Sequence, residues 1–182
     1  MIQASSFAVS ALDALVAEYF QQSEGEWHSQ RRYYRLPDGE TEEVVSHLTV
    51  LFLPQGSPEL LQLAQMHELA DMNSLSSGAL TTWQSNYIGP SPKTLSGSTL
   101  FGVFGDLLYR DRGFSTQKPV TARFQMRDPK TMCLKTEYGG NCFEEEVKLI
   151  GTNYRTRQTI ISRLGEEQMI GQYLETRIRD LA

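Results

Sequence analysis

Glu145 stands with Phe143, Val147 and Leu149 on one side of the strand-like run Phe143–Leu149, because successive side chains along a strand alternate between faces. A carboxylate on an apolar face is costly to bury unless a cation meets it. The next run supplies two cations, Arg155 and Arg157, on one face just after the turn at Gly151-Thr152. An odd number of residues in that turn would aim Glu145 and an arginine to the same side. Near the end of the chain Tyr173, Glu175 and Arg177 share a face; near the start Trp27, Ser29, Arg31 and Tyr33 do so. The planar fork of arginine suits carboxylates well. A cavity lined this way would take a ligand with an apolar body and acidic groups. The same charges could instead form internal salt bridges that fix the fold, or face solvent. Trp83 shares its face with Ala79, Thr81, Ser85 and Tyr87. That is either a flat slot for an aromatic ligand or ordinary core packing.

Such residues need a sheet to hold them, and strand signals dominate after the first quarter of the sequence. A capping-box pattern at Ser10, followed by Leu12, Leu15, Val16, Tyr19 and Phe20, predicts one amphipathic helix from Ser10 to about Gln22. Ser57–Leu69, with proline in its first turn, predicts a short second helix. The remaining signals are strands: the Trp27 run, Val44–Leu53, Ala79–Tyr87, Ser98–Phe104, Leu107–Arg112, Val120–Arg127, Thr131–Tyr138, Phe143–Ile150, Tyr154–Ser162 and Gln168–Arg179. Gly, Pro, Asp or Asn separates them. Their close spacing predicts an antiparallel up-and-down meander of about ten strands closing into one β-barrel, which removes the sheet edges. The lone helix is expected to plug or lean on it.

Composition narrows the function. The 182 residues suit a single domain with a full core, spanning 1–182, and 40% hydrophobic with 21% charged residues reads as globular. A net charge of -5, from 17 basic and 22 acidic residues, argues against nucleic-acid binding. No apolar run approaches the roughly 20 residues of a membrane span. Met1–Ser10 lacks a positive leader and a long apolar core, so no signal peptide is expected, and the location is expected to be cytoplasmic. Cys133 and Cys142 flank the turn Gly139-Gly140-Asn141 and could face each other on a hairpin; two free thiols in a reducing compartment is the plainer reading. His28, His47 and His67 are scattered, so no metal site is expected. No nucleophile elbow or phosphate loop occurs.

Gly25-Glu26-Trp27 opening the first strand, with an arginine near the far end of the chain, resembles the lipocalin-like barrels. A more specific resemblance runs along most of the sequence, from Phe20 to Arg177. Phe20-Gln21-Gln22-Ser23-Glu24-Gly25, Trp27-His28-Ser29-Gln30-Arg31, Tyr109-Arg110-Asp111-Arg112-Gly113-Phe114, Pro119-Val120, Leu134-Lys135-Thr136-Glu137-Tyr138, Glu145 and Asn153-Tyr154-Arg155-Thr156-Arg157 follow in order. This set resembles the CpcS/CpeS family of phycobiliprotein bilin lyases of cyanobacteria and related plastids. The resemblance implies a lipocalin or fatty-acid-binding-protein-like barrel that binds an open-chain tetrapyrrole, phycocyanobilin or a related bilin, as substrate, with no prosthetic group. It implies transfer of that bilin, through a thioether at the ring A ethylidene, to a cysteine of phycocyanin or allophycocyanin subunits in a cytosol or plastid stroma.

By the same resemblance Arg31, Trp83, Glu145, Arg155 and Arg157 would contact the bilin, with catalytic roles for Glu145 and Arg155. The arginines would pair with the propionates, Trp83 would stack on a pyrrole ring, and Glu145 would meet the pyrrole N–H groups. The chain departs from the family pattern in having Glu145-Glu146-Val147 where a Glu-Arg pair is expected, and Tyr154 and Thr156 around the arginines where leucine is expected. Those departures leave open a homodimer, a heterodimer with a related lyase subunit, or a divergent subgroup. A non-catalytic carrier of fatty acid or another acidic lipophile would use the same barrel, and an auxiliary subunit of a heteromeric lyase would differ by requiring mixed assembly.

Overall fold

The computed structural model describes residues 2–178, so Arg179, the end of the last strand expected from sequence, lies outside the described residues. Helix α1 covers Ile2–Ser23 and precedes strand β1, Gly25–Arg35. The helix passes through Ser10 rather than starting there, a correction to the capping-box reading. Residues 2–9 contain neither Gly nor Pro, so nothing in the preceding sequence stops the helix.

Strand β2 (Thr41–Pro54) leads into helix α2 (Pro58–Met66), followed by β3 (Ser77–Ile88), β4 (Lys93–Phe104) and β5 (Leu107–Arg110). Then come β6 (Val120–Asp128), β7 (Thr131–Tyr138), β8 (Asn141–Ile150), β9 (Tyr154–Arg163) and β10 (Glu166–Arg177). Every strand pairs antiparallel with its neighbours in sequence, and β1 pairs with β10 to close a ten-stranded barrel. This is the expected meander. β4 starts earlier than expected, because Lys93–Ser96 is exposed throughout, its single apolar residue Leu95 included, and so gives no alternation to read.

Alternation divides the barrel wall into an outer and an inner face. The outer face of β3, β4 and β5 is covered by α2, where Leu60, Leu63 and Ala64 pack with Leu53, Leu75, Leu100 and Tyr109. Gly78 and Gly102 pair across β3 and β4 beneath this helix. A Cβ on Gly102 would stand 2.8 Å from Leu75 and 3.0 Å from Leu63, so glycine is what lets α2 approach.

Helix α1 fills one end of the barrel. Its Val16, Tyr19 and Phe20 are buried against Trp27, Leu48, Val50, Val103, Met132 and Leu149 from the inner face. The closure is stapled from outside by Arg177, which donates to the carbonyls of Gln22 (2.6 Å), Glu24 and Thr152 (2.8 Å) while stacking 4.2 Å over the Trp27 ring. Those carbonyls include the unpaired end of α1, where a cation is favoured. The opposite end of the barrel carries Tyr33, Tyr87, Tyr138 and Phe143.

Cys133 and Cys142 do not face each other. The turn is the two-residue Gly139-Gly140, so Tyr138 pairs with Asn141, Cys133 lies across from Glu146, and Cys142 across from Glu137. Both are free thiols on the outer face, four positions apart along the hairpin.

Candidate functional site

The inner face carries its charges at two levels. The lower level lies against α1. There Arg155 on β9 and Glu175 on β10 are direct cross-strand partners and form a buried ion pair. Ser29 donates to Glu175 Oε1 at 3.2 Å, and the Arg155 guanidinium lies 4.8 Å from the Trp27 ring centre. Burial alone would raise the Glu175 pKa, but the charge of Arg155 and the Arg155 and Ser29 hydrogen bonds outweigh it and hold the carboxyl below its ordinary value. Beside this pair Tyr19 donates to the Val147 carbonyl at 3.2 Å, and burial pushes its phenol pKa upward, so it stays neutral.

The upper level is built around Glu145. The turn between β8 and β9 has three residues, Gly151 to Asn153, so Glu145, Arg155 and Arg157 point inward, as an odd turn requires. Arg157, not Arg155, reaches Glu145 and donates from Nη2 to Oε1. On the other side Arg110 Nη1 stands 3.5 Å from Oε2. Arg31 joins the group through Tyr173: the guanidiniums of Arg31 and Arg157 lie 5.5 Å and 5.1 Å from that ring's centre. Arg31 also donates to Ser85 Oγ at 3.4 Å, and Tyr33 and Tyr173 share a hydroxyl hydrogen bond of 3.1 Å.

Two guanidiniums, those of Arg110 and Arg157, therefore flank the Glu145 carboxylate, and Arg31 is a third cation joined to the group through Tyr173. The Glu175 carboxylate below is taken by Arg155, and that of Asp111, next to Arg110, is engaged by the Leu100 backbone N–H and by Arg112. The upper level is left with two positive charges in excess. It also holds buried polar atoms without a hydrogen-bond partner: Nε of Arg31, Arg110 and Arg157, and Glu145 Oε2. Such atoms are rare in a finished core and mark where a polar ligand or water belongs. Burial lowers the pKa of Arg110 despite Glu145. For Arg157 burial acts the same way, but the Glu145 charge prevails and raises it. Both arginines stay charged at neutral pH.

The Arg157 side chain is 30% exposed and that of Arg155 only 11%, whereas Arg110 and Glu145 are buried. Arg31, Tyr33, Trp83, Phe101 and Leu134 face inward yet stay partly accessible. Trp83 lies across Gly97 of β4, its direct cross-strand partner. A Cβ on Gly97 would meet Trp83 Cζ2 at 2.6 Å. Gly97→Ala is expected to push the indole aside, costing about 1–3 kcal/mol. The check is urea denaturation together with tryptophan emission, which should shift in Gly97→Ala and not when Trp83→Phe is already present.

The sequence reading singled out Arg31, Trp83, Glu145, Arg155 and Arg157. The structure gathers Arg31, Glu145 and Arg157 into one group, places Trp83 on the inner wall beside the core, and puts Arg155 a level lower with Glu175. It adds Arg110, which sequence pattern did not single out as a site residue. Both faces of β5 are buried, Tyr109 under α2 and Arg110 inside, so alternation gives no contrast there to read.

Comparison with known proteins agrees with this architecture. The family described as CpeS-like protein matches residues 15–178. The chain belongs to the CpeS-like family. "Putative phycocyanobilin lyase CpcS 2" of Nostoc sp. (strain PCC 7120) is 58% identical over 166 residues, 91% of this chain and 92% of that one. "Putative chromophore lyase CpcV" of Picosynechococcus sp. is 50% identical over 161 residues, 88% of this chain and 80% of that one. Among solved structures, the S-type phycobiliprotein lyase CPES from Guillardia theta superposes with a TM-score of 0.74 at 22% identity, covering 92% of this chain and 93% of that one, which supports the fold. In this CpeS-like protein the two-level interior is thus carried on its family's barrel. Neither described helix is long and apolar enough to cross a membrane.

Proposed function

We propose that this CpeS-like protein is a bilin lyase that holds phycocyanobilin or a related open-chain tetrapyrrole in the upper part of its barrel. It would attach that bilin by a thioether to a cysteine of a phycobiliprotein subunit such as phycocyanin or allophycocyanin. The names of its relatives support the class of reaction. The observation that carries the reading is the two-charge excess of Arg31, Arg110 and Arg157 over Glu145 on the inner face of the barrel, among partly accessible aromatic side chains of that face. A bilin has an apolar conjugated body, two propionates and pyrrole N–H groups, which match two spare guanidiniums and one carboxylate.

In this reading the arginines anchor the propionates, Trp83 stacks against a pyrrole ring, and Glu145 accepts from the pyrrole N–H groups. A carboxylate there favours the protonated chromophore, which is the better electrophile. The acceptor's thiol adds across the exocyclic double bond of ring A. A C–S bond forms at the ethylidene carbon, and the proton lost by sulfur returns to the tetrapyrrole. Nothing leaves, so the protein works by positioning and by polarising one site. Arg155 acts from the lower level, where its pairing with Glu175 fixes the strand that presents Arg157.

The test is transfer in vitro. Purified chain, phycocyanobilin and apo-phycocyanin or apo-allophycocyanin subunits are mixed, then run on a denaturing gel and scored for zinc-enhanced bilin fluorescence. Covalent colour on the acceptor, with native absorbance and none without this chain, is expected. Binding without transfer would make it a carrier or a subunit needing a partner; neither binding nor transfer would overturn the reading.

A further inference from the structure

The Arg110 guanidinium is enclosed rather than open to the cavity. Its centre lies 4.4 Å from the Phe114 ring and 5.2 Å from the Phe101 ring, and the residue is 6% exposed. Its one charged contact is the 3.5 Å approach to Glu145, and its Nε proton has no acceptor. A buried cation with a free donor is costly unless an anion or water completes it.

Phe114 comes from the segment Asp111–Pro119 that joins β5 to β6, at the end of the barrel away from α1. It stacks on Phe143, with centroids 4.5 Å apart and planes within 13°, and Phe143 stacks in turn on Tyr138 at 5.1 Å. Asp111 ties the start of the segment to Leu100, donating its N–H to that carbonyl at 3.2 Å and accepting from that N–H at 3.0 Å. Beyond it Ser115 donates its N–H to the Tyr138 hydroxyl at 2.9 Å, and Gly113 donates within the segment to the Thr116 carbonyl at 3.0 Å. Gly113 is needed for this fit, since a Cβ there would stand 2.7 Å from Thr116 and 2.8 Å from the Tyr138 hydroxyl. One aromatic ring on one short loop thus stands over a cation whose hydrogen bonding is incomplete.

We propose that Arg110 anchors one carboxylate of the substrate in an inner subsite, and that Phe114, carried on the Asp111–Pro119 loop, determines what reaches it. The identity of that carboxylate as a bilin propionate rests on the function proposed above. The carboxylate displaces the ring from the guanidinium, and two-point pairing with Arg110 replaces the cation–π contact. Because the part of the loop that carries Phe114, beyond Asp111, is hydrogen-bonded to the barrel through Tyr138, loosening that tie should ease entry without touching the anchor.

The test compares phycocyanobilin with its dimethyl ester on the full chain, by titration and by stopped-flow absorbance. The wild type should favour the free diacid, and Arg110→Met should cut that preference by about tenfold or more. Phe114→Ala and the milder Tyr138→Phe, which keeps both Phe114 and Arg110, should each speed association of the diacid severalfold. An equal loss for acid and ester in Arg110→Met would make Arg110 a packing residue and overturn the anchor. Unchanged association rates in both loop variants would overturn the gate. If the wild type binds neither form, the bilin reading falls and takes this inference with it, whereas wild-type binding with unaltered variants removes the inference alone.

Discussion

Replacing Glu175 with alanine is expected to destabilise the protein by about 3–5 kcal/mol, the usual cost of stranding one member of a buried ion pair. At roughly 2–4 °C per kcal/mol for a chain of this size, the melting temperature should fall by about 6–20 °C. The reason is local. Glu175 is 1% exposed, and its loss leaves Arg155 with Trp27 for company and no carboxylate. Thermal and urea unfolding measure the effect, and a second variant tests the cause. Replacing both partners, Arg155→Met with Glu175→Leu, should recover most of the loss, because no charge is then left unpaired. A double variant as unstable as the single one would place the damage in packing.

The same pair gives the acid limb of stability a definite sign. Glu175 has its pKa depressed on folding from an ordinary value of 4.5. A depressed carboxyl pKa means that the folded state binds fewer protons than the unfolded one. Its contribution is therefore full above about 4.5 and is lost as pH falls through the lower folded value. The wild type should lose stability steeply in that range, and Glu175→Ala should lose less over the same interval.

Glu145→Gln should act chiefly on chemistry, with some loss of stability because buried Arg110 loses its one charged contact. Glutamine keeps the shape and can still accept from Arg157, so the barrel should remain. What disappears is the one negative charge among Arg31, Arg110 and Arg157. On the proposed function the bilin's two carboxylates still bind, now to a more positive site, while the pyrrole N–H groups lose their anionic partner. Transfer to the acceptor should slow by about 100-fold or more, the range of a lost acid–base group, and the bound bilin's absorbance should shift. Single-turnover transfer and difference spectra separate the two effects. A slowed rate with an unchanged spectrum would remove the pyrrole contact; an unchanged rate would remove Glu145 from the chemistry.

The barrel was legible because strands with one wet and one dry face announce themselves by alternation. Trp27, Ser29 and Arg31, or Phe143, Glu145 and Val147, could be read two by two from sequence, and the three-residue turn after Ile150 fixed their relative facing. What alternation cannot show is how high in the barrel a side chain ends up. Arg155 and Arg157 look equivalent on paper, yet strand pairing sets Arg155 opposite Glu175 and leaves Arg157 free to lean toward Glu145. Arg110 escaped for a related reason: its strand is short and covered on both sides. The start of α1 was misplaced because a capping signal at Ser10 sits inside a stretch with nothing to break a helix. The supposed facing of Cys133 and Cys142 failed on register, since Cys142 stands two residues after the Gly139-Gly140 turn and Cys133 six before it.

On the proposed function, that register has a consequence for a vessel whose cargo is an electrophile. Both cysteines of the chain stand on the outside of the wall, and burial against their neighbours raises the pKa of each thiol. The inner surface thus presents cations, carboxylates, hydroxyls, rings and methionine thioethers, but no thiol. A container lined with its own thiols would become the first product of its reaction and be spent in one round. With its thiols outdoors and protonated, the protein would offer no sulfur nucleophile to such a cargo, and the one that ends the journey would have to be brought by someone else.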